Sequence, residues 1–141
     1  MKKLISITLL SLVSSVSMAA TITTTDFLTI QAVNGQKQYN ATHLDVTQGQ
    51  HLIELQVYDD FSIGADDTNI VKSEPLYLSV TLDNDDVMDI TTPALLSAED
   101  AKDFIDNPTV TINGNKTMKL YSHEQLMALI LEQHSMMTTK N

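Results

Sequence analysis

Two runs of strict alternation inside one stretch, Gln48 to Leu82, constrain this chain more than any other feature. In the first, Ile53, Leu55 and Val57 alternate with Glu54 and Gln56; in the second, Leu76, Leu78, Val80 and Leu82 alternate with Tyr77, Ser79 and Thr81. A side-chain period of two belongs to extended strands with one face on a core, whereas a helix repeats its apolar positions every three or four residues. A Gln48-Gly49 turn opens the stretch, and an acidic loop from Asp59 to about Asn69 joins its two halves.

The flanking sequence continues in the same manner. Thr21 to Thr25 has high β-propensity. Phe27 to Val33 reads as a strand with Leu28, Ile30 and Ala32 on one face, and Asn34-Gly35 predicts a hairpin, because both residues accept positive φ. Gln36 to Asn40 is the expected return strand, anchored by Tyr39, and Leu44 and Val46 carry a short alternation into the Gln48 turn. Pro75 cannot donate to a ladder and is expected at a strand start, bulge or edge. Val87 to Thr91 reads as a further strand.

The period then changes. Ser97 is an N-cap before Glu99 and Asp100, acids that suit a helix start, and Asn107-Pro108 ends the helix. A second Asn-Gly pair, Asn113-Gly114, predicts a hairpin between Thr109–Ile112 and Lys116–Tyr121. Ser122 and Gln125 form a capping box before a last helix that is expected to run to about Gln133, with Leu126, Leu129 and Ile130 as its apolar face. Residues 135–141 read as a frayed tail. The predicted fold is mainly β, a small antiparallel β-sandwich with a short internal helix and a C-terminal helix covering one face or end.

The N-terminus has a different character. Lys2 and Lys3 precede an apolar run, Leu4 to Val13, and Ser17-Met18-Ala19 is a small-x-small site, so residues 1–19 read as a secretory signal peptide cleaved after Ala19. The apolar run is shorter than the roughly 20 residues a spanning helix needs, so no membrane span is expected after cleavage. Residues 20–134 form a single β-rich domain on this reading, exported to the periplasm of a Gram-negative bacterium or secreted. The chain has no cysteine, which removes disulfides, thiolate metal sites and thiol catalysis. Its formal charge is −10, moving to about −12 without Lys2 and Lys3, and it contains no arginine. Nucleic-acid affinity depends on cations that neutralise phosphates, so nucleic acid is not an expected partner.

Few residues point to chemistry. Asp59, Asp60, Asp66 and Asp67 offer carboxylates to a hard cation, and Asp83, Asp85, Asp86 and Asp89 form a second cluster, but neither has the alternating order and terminal Glu of an EF-hand loop. Both read as solvated turns, and no metal or other cofactor is expected. His43, His51, His123 and His134 lack the spacing of a helical zinc pair, and His51 is expected to face away from Leu52. No G-x-S-x-G motif is present, and the protein reads as a non-enzyme. Two sequons, at Asn40 and Asn115, read as silent, and Met127, Met136 and Met137 as core filling and tail. The Thr-rich segment Thr21 to Thr25 and the edge marked by Pro75 are the places where pairing with another chain is weighed.

In order, the leader, the first Asn-Gly element, GQHLIELQVYDDF, SEPLYLSVTL and AEDAKDFIDNP resemble a small exported family of gammaproteobacteria that includes the curli synthesis inhibitor, with this chain as a shortened member. The matching region runs from about Phe27 to Pro108. The Gly49 to Val57 strand also resembles that of PEGA-type β-sandwich surface domains. The family resemblance implies a periplasmic protein that restrains assembly of an amyloid fibre subunit. The expected function is therefore binding of envelope or fibre-subunit proteins, which modulates curli-like fibre or biofilm matrix assembly. The alternative is a structural or ligand-binding envelope module with a glycan or outer-membrane partner. The candidate interaction loop is Asp59, Asp60, Phe61, Asp66 and Asp67.

Overall fold

A computed structural model describes residues 19–139. The expected leader lies outside the described residues up to Met18, and Ala19, the expected cleavage position, is the first residue of strand β1 (Ala19–Thr24). The strands that follow are β2 (Leu28–Val33), β3 (Gln36–Ala41), β4 (His43–Thr47), β5 (Gly49–Asp60), β6 (Ile70–Lys72), β7 (Leu76–Leu82) and β8 (Val87–Thr91). Helix α1 (Ala98–Asp106), strands β9 (Thr109–Ile112) and β10 (Lys116–Lys119), and helix α2 (His123–Thr138) complete the described chain.

Two five-stranded sheets form a β-sandwich. One has the order β10-β9-β8-β1-β4; the other has the order β3-β2-β5-β6, with β7 also pairing β5. The two alternating runs are neighbours, as antiparallel pairing sets Ile53 against Leu78 and Leu55 against Leu76. Strand β5 is long enough to serve two partners on one edge, pairing β7 from Gly49 to Leu55 and β6 from Tyr58 to Asp60. The pairing is antiparallel throughout except for β1 with β8, which is parallel.

Between the sheets lies one core. Ile22, Met88, Ile90, Val110 and Ile112 come from one sheet and Leu28, Ile30, Ile53, Leu55, Val57, Leu76 and Leu78 from the other, while Phe104 of α1 and Leu120 close its margins. Burying an aliphatic side chain of this size contributes about 1.5–3 kcal/mol, and with no disulfide this core is the main source of stability.

Both Asn-Gly pairs make the predicted turns, with φ of 52° and 79° at Asn34 and Gly35 and 51° and 75° at Asn113 and Gly114. Four expectations need correction. Strand β2 has a register shift between Ile30 and Ala32, so Val33 lies opposite Ile53 and joins the core, whereas Ala32 lies opposite Glu54 on the other face. A bulge inserts one residue and reverses the facing of everything after it. Tyr39 anchors nothing; it is 95% exposed on edge strand β3, beside the irregular Asn40 with its φ of 48°. The Thr-rich segment is not an edge, since β1 pairs β4 on one side and β8 on the other. Helix α2 continues past Gln133 to Thr138, where the Thr138 and Thr139 hydroxyls donate to the carbonyls of His134 and Ser135 and satisfy the last turn.

Candidate functional site

The acidic segment is an ordered end to the β5–β6 hairpin. Asp59 and Asp60 belong to β5 and sit opposite Val71 and Ile70, which corrects their assignment to a loop. The chain then turns tightly, with Phe61 N–H donating to Asn69 O at 2.9 Å and Asp67 N–H donating to Gly64 O at 3.2 Å. Asp60 Oδ1 accepts from Ser62 N–H at 2.9 Å, and Asp67 Oδ2 accepts from Ile63 N–H at 3.2 Å. Hydrogen bonding from Ser62, its hydroxyl first and then its backbone, holds the Asp60 carboxyl below the usual range. These carboxylates therefore serve the backbone of their own turn. Phe61 is half-buried and Asp66 exposed. Among the described residues no group of three or more His, Asp or Glu is placed to hold a metal ion.

The histidines are dispersed. His43 lies 3.8 Å from Asp45 on the surface, and the His123 ring is tilted against Tyr77 with centroids 6.2 Å apart. His51 faces away from Leu52, as expected, and is buried. Its Nε2 lies 2.6 Å from Thr47 O and its Nδ1 2.9 Å from Asn34 Nδ2. Because a carbonyl only accepts, Nε2 carries the proton and Nδ1 accepts from the Asn34 amide. This histidine braces the β4–β5 turn and has no free ring nitrogen left for chemistry.

The feature that the sequence reading missed lies where the two sheets meet at their free edges. Tyr77 and Tyr121 form an isolated antiparallel bridge, with Tyr77 N–H to Tyr121 O at 2.8 Å and Tyr121 N–H to Tyr77 O at 3.0 Å. This bridge ties β7 of one sheet to the segment just after β10 of the other. Past it no ladder joins β7 to β10: β7 pairs β5 and β10 pairs β9, each on its opposite edge. Antiparallel ladders alternate between residues that exchange hydrogen bonds with the partner and residues whose backbone groups point the other way. Tyr77 points away from β5, so Ser79 and Thr81 do too. On the other side Leu120 N–H donates to Pro108 O, toward β9, so Thr117 and Lys119 direct their backbone groups to the seam. The register set by the bridge places Ser79 across from Lys119 and Thr81 across from Thr117.

Two grooves flank this seam. An inner one of about 430 Å³ is lined by Ser79 to Leu82, Met88, Ile112 and Met118, with Asp86, Asn113 and Lys116 as its polar part. An outer one of about 670 Å³ lies between Leu52 and Ser79, strand β10, and Leu126, Leu129 and Ile130 of α2. Ser122, the residue after the bridge, caps helix α2, which starts at His123, as its capping box predicts. It buries none of its residues fully, and Ile130, Leu131, Met136 and Met137 are exposed. The expectation that it covers a face of the sandwich is met only in part: it walls the outer groove and leaves its apolar stripe open.

The only hints of the seam in the sequence are the polar partners Ser79 and Thr81 in the β7 alternation and the lysines at positions 116 and 119. No curated protein and no solved structure matches the chain. Residues 21–137, nearly all of the described fold, match the model of DUF2057, and the chain accordingly belongs to this family, described as uncharacterized protein conserved in bacteria.

Proposed function

We propose that this protein is a non-enzymatic binder of other envelope polypeptides, working in the periplasm of a Gram-negative bacterium, and that its binding restrains the assembly of a curli-like amyloid fibre or biofilm matrix. The observation that carries this reading is the free edge of β7 beside the exposed apolar stripe of α2. A cross-β fibre grows by adding strands to an open edge. A folded domain that presents its own strand edge occupies that growing end, and strand addition is an established mode of recognition between chains. The net charge of −10 keeps the capped species soluble. The signal-like layout of residues 1–19 supports the compartment, and the resemblance to the exported family that includes the curli synthesis inhibitor supports the choice of fibre.

The test is fibre assembly from a purified amyloid fibre subunit, followed by thioflavin fluorescence with increasing amounts of this protein. The expected result is a longer lag at substoichiometric ratios, as end-capping requires. An unchanged lag in the presence of excess protein would sink the proposal.

A further inference from the structure

We infer that the seam between β7 and β10 is a binding site for an extended polypeptide segment carrying carboxylates among alternating apolar residues, docked as a strand antiparallel to β7 with α2 as its outer wall. The inference rests on the reading that this protein binds other chains, and it assigns the site and the chemistry of the segment.

Three observations converge on the seam. First, the backbone groups of Ser79 and Thr81 on β7 and of Thr117 and Lys119 on β10 point into the same gap, in the register fixed by the Tyr77–Tyr121 bridge. This is a template for main-chain hydrogen bonds. The other outer edge of the same sheet, β3, is broken by its register shift, which blunts an edge against pairing.

Second, a strand laid there meets side-chain walls on both faces, a mainly apolar one in the outer groove and a mixed polar and apolar one in the inner groove. Alternate side chains enter the inner groove against Val80, Leu82 and Met88 or the outer groove against Leu52, Leu126 and Ile130. The stretch from Ser79 to Leu82 is roughly 13 Å long at the strand rise of about 3.3 Å per residue, so about four residues cover it and a segment of about six overhangs it by one residue at each end.

Third, the charge at the seam is opposite to that of the molecule. The chain carries 18 acids against 8 lysines, yet Lys116 and Lys119 both stand on β10 and are exposed, and the one acid lining the grooves, Asp86, accepts from Asp83 N–H in its own turn. Among the described residues neither forms an ion pair. Two uncommitted cations at the rim of an apolar groove select carboxylates on the incoming strand and reject lysines.

The test uses a fluorescein-labelled peptide of about six residues in which valine alternates with glutamate and threonine, and a matched peptide with lysine in place of glutamate. Anisotropy titration against the purified protein should show tighter binding of the glutamate peptide. Amide exchange should slow at Ser79 and Thr81 when it is bound. Ser79→Pro removes the outward N–H at a position that does not bond to β5, and it should weaken binding roughly tenfold, whereas Ser79→Ala leaves the backbone intact and should not. Should Ser79→Pro fail to fold, the surface variant Lys116→Glu/Lys119→Glu decides: it should lose the glutamate peptide and gain the lysine peptide. Absence of peptide binding, binding indifferent to the charge reversal, or unchanged exchange at Ser79 and Thr81 each overturn the assignment. Fibre assembly separates this inference from the reading beneath it. If the charge-reversed variant slows assembly as well as the parent does, the seam is wrong and the function stands. If the peptide binds as expected while the parent leaves assembly unchanged, the seam stands and the fibre reading fails.

Discussion

At the residue scale the two turn asparagines do more than permit a turn. Asn34 donates its N–H to Leu52 O and accepts from Leu52 N–H with its side chain at 2.8 Å, so it mimics one more residue of ladder on β5. Asn113 does the same to Asp89 on β8, with N–H to O at 2.9 Å and side-chain acceptance at 2.8 Å. The residue type is therefore needed twice over, once for positive φ and once for its amide. Asn34 has a third task, donating to the buried His51 ring. Replacing it by alanine removes two side-chain bonds, leaves a buried ring nitrogen unpartnered and puts a side chain without amide support at positive φ. The expected loss is about 2–3 kcal/mol for Asn34→Ala and about 1–1.5 kcal/mol for Asn113→Ala, which touches no buried ring. Urea midpoints measure both, and equal losses would mean that the His51 contact adds nothing.

Elements show where sequence reasoning reaches and where it stops. Strands β5 and β7, both Asn-Gly hairpins and both helix caps were legible, because each depends on neighbours within a few residues. The interior place of β1 was not. Its parallel pairing with β8 joins Ile22 to Met88 across most of the domain, and no local turn signals it. The apolar face of α2 was legible as a face, but periodicity does not say what lies against it. The seam was missed for the same reason, as it is made by two strands distant in sequence whose sheets touch at one bridge. That junction can be probed through Tyr77. Its hydroxyl is held above the usual range, first by burial and then by Glu54, its direct cross-strand neighbour on β5. A raised folded-state pKa means that the stabilisation is complete below the ordinary tyrosine value of about 10 and is lost as pH rises through the folded value. Ultraviolet titration should find one of the 4 tyrosines ionising late, and Glu54→Gln should move it part of the way back. Unchanged titration in Glu54→Gln would remove Glu54 as a cause. Because a peptide docked in the seam beside the Tyr77–Tyr121 bridge buries this edge further, it should delay ionisation more.

At the scale of the whole molecule, charge works against the fold it keeps in solution. Among the described residues the single contact of ion-pair geometry is the exposed His43–Asp45 pair, charged only when the histidine is protonated, so the acids are hardly compensated by local partners. Helix α1 adds to the imbalance: Glu99 and Asp100 suit its first turn, but its last turn has no basic residue and ends on Asp106, where the negative end of the helix dipole disfavours a carboxylate. Such repulsion acts over distances that salt shortens, the screening length falling from about 30 Å at 0.01 M to about 10 Å at 0.1 M. The urea midpoint at neutral pH should therefore rise with sodium chloride, by a free energy on the order of 1 kcal/mol built from weak surface terms. Asp106→Lys and Asp66→Lys test the cause. Both positions are exposed, so reversing their charge leaves the core untouched. The double variant should be more stable than the parent in low salt, and its advantage should shrink as salt is added. A parent midpoint that is flat or falls with salt would show that the acids do not repel one another enough to matter. An advantage of the double variant that persists at high salt would assign its gain to helix propensity at α1 instead of charge.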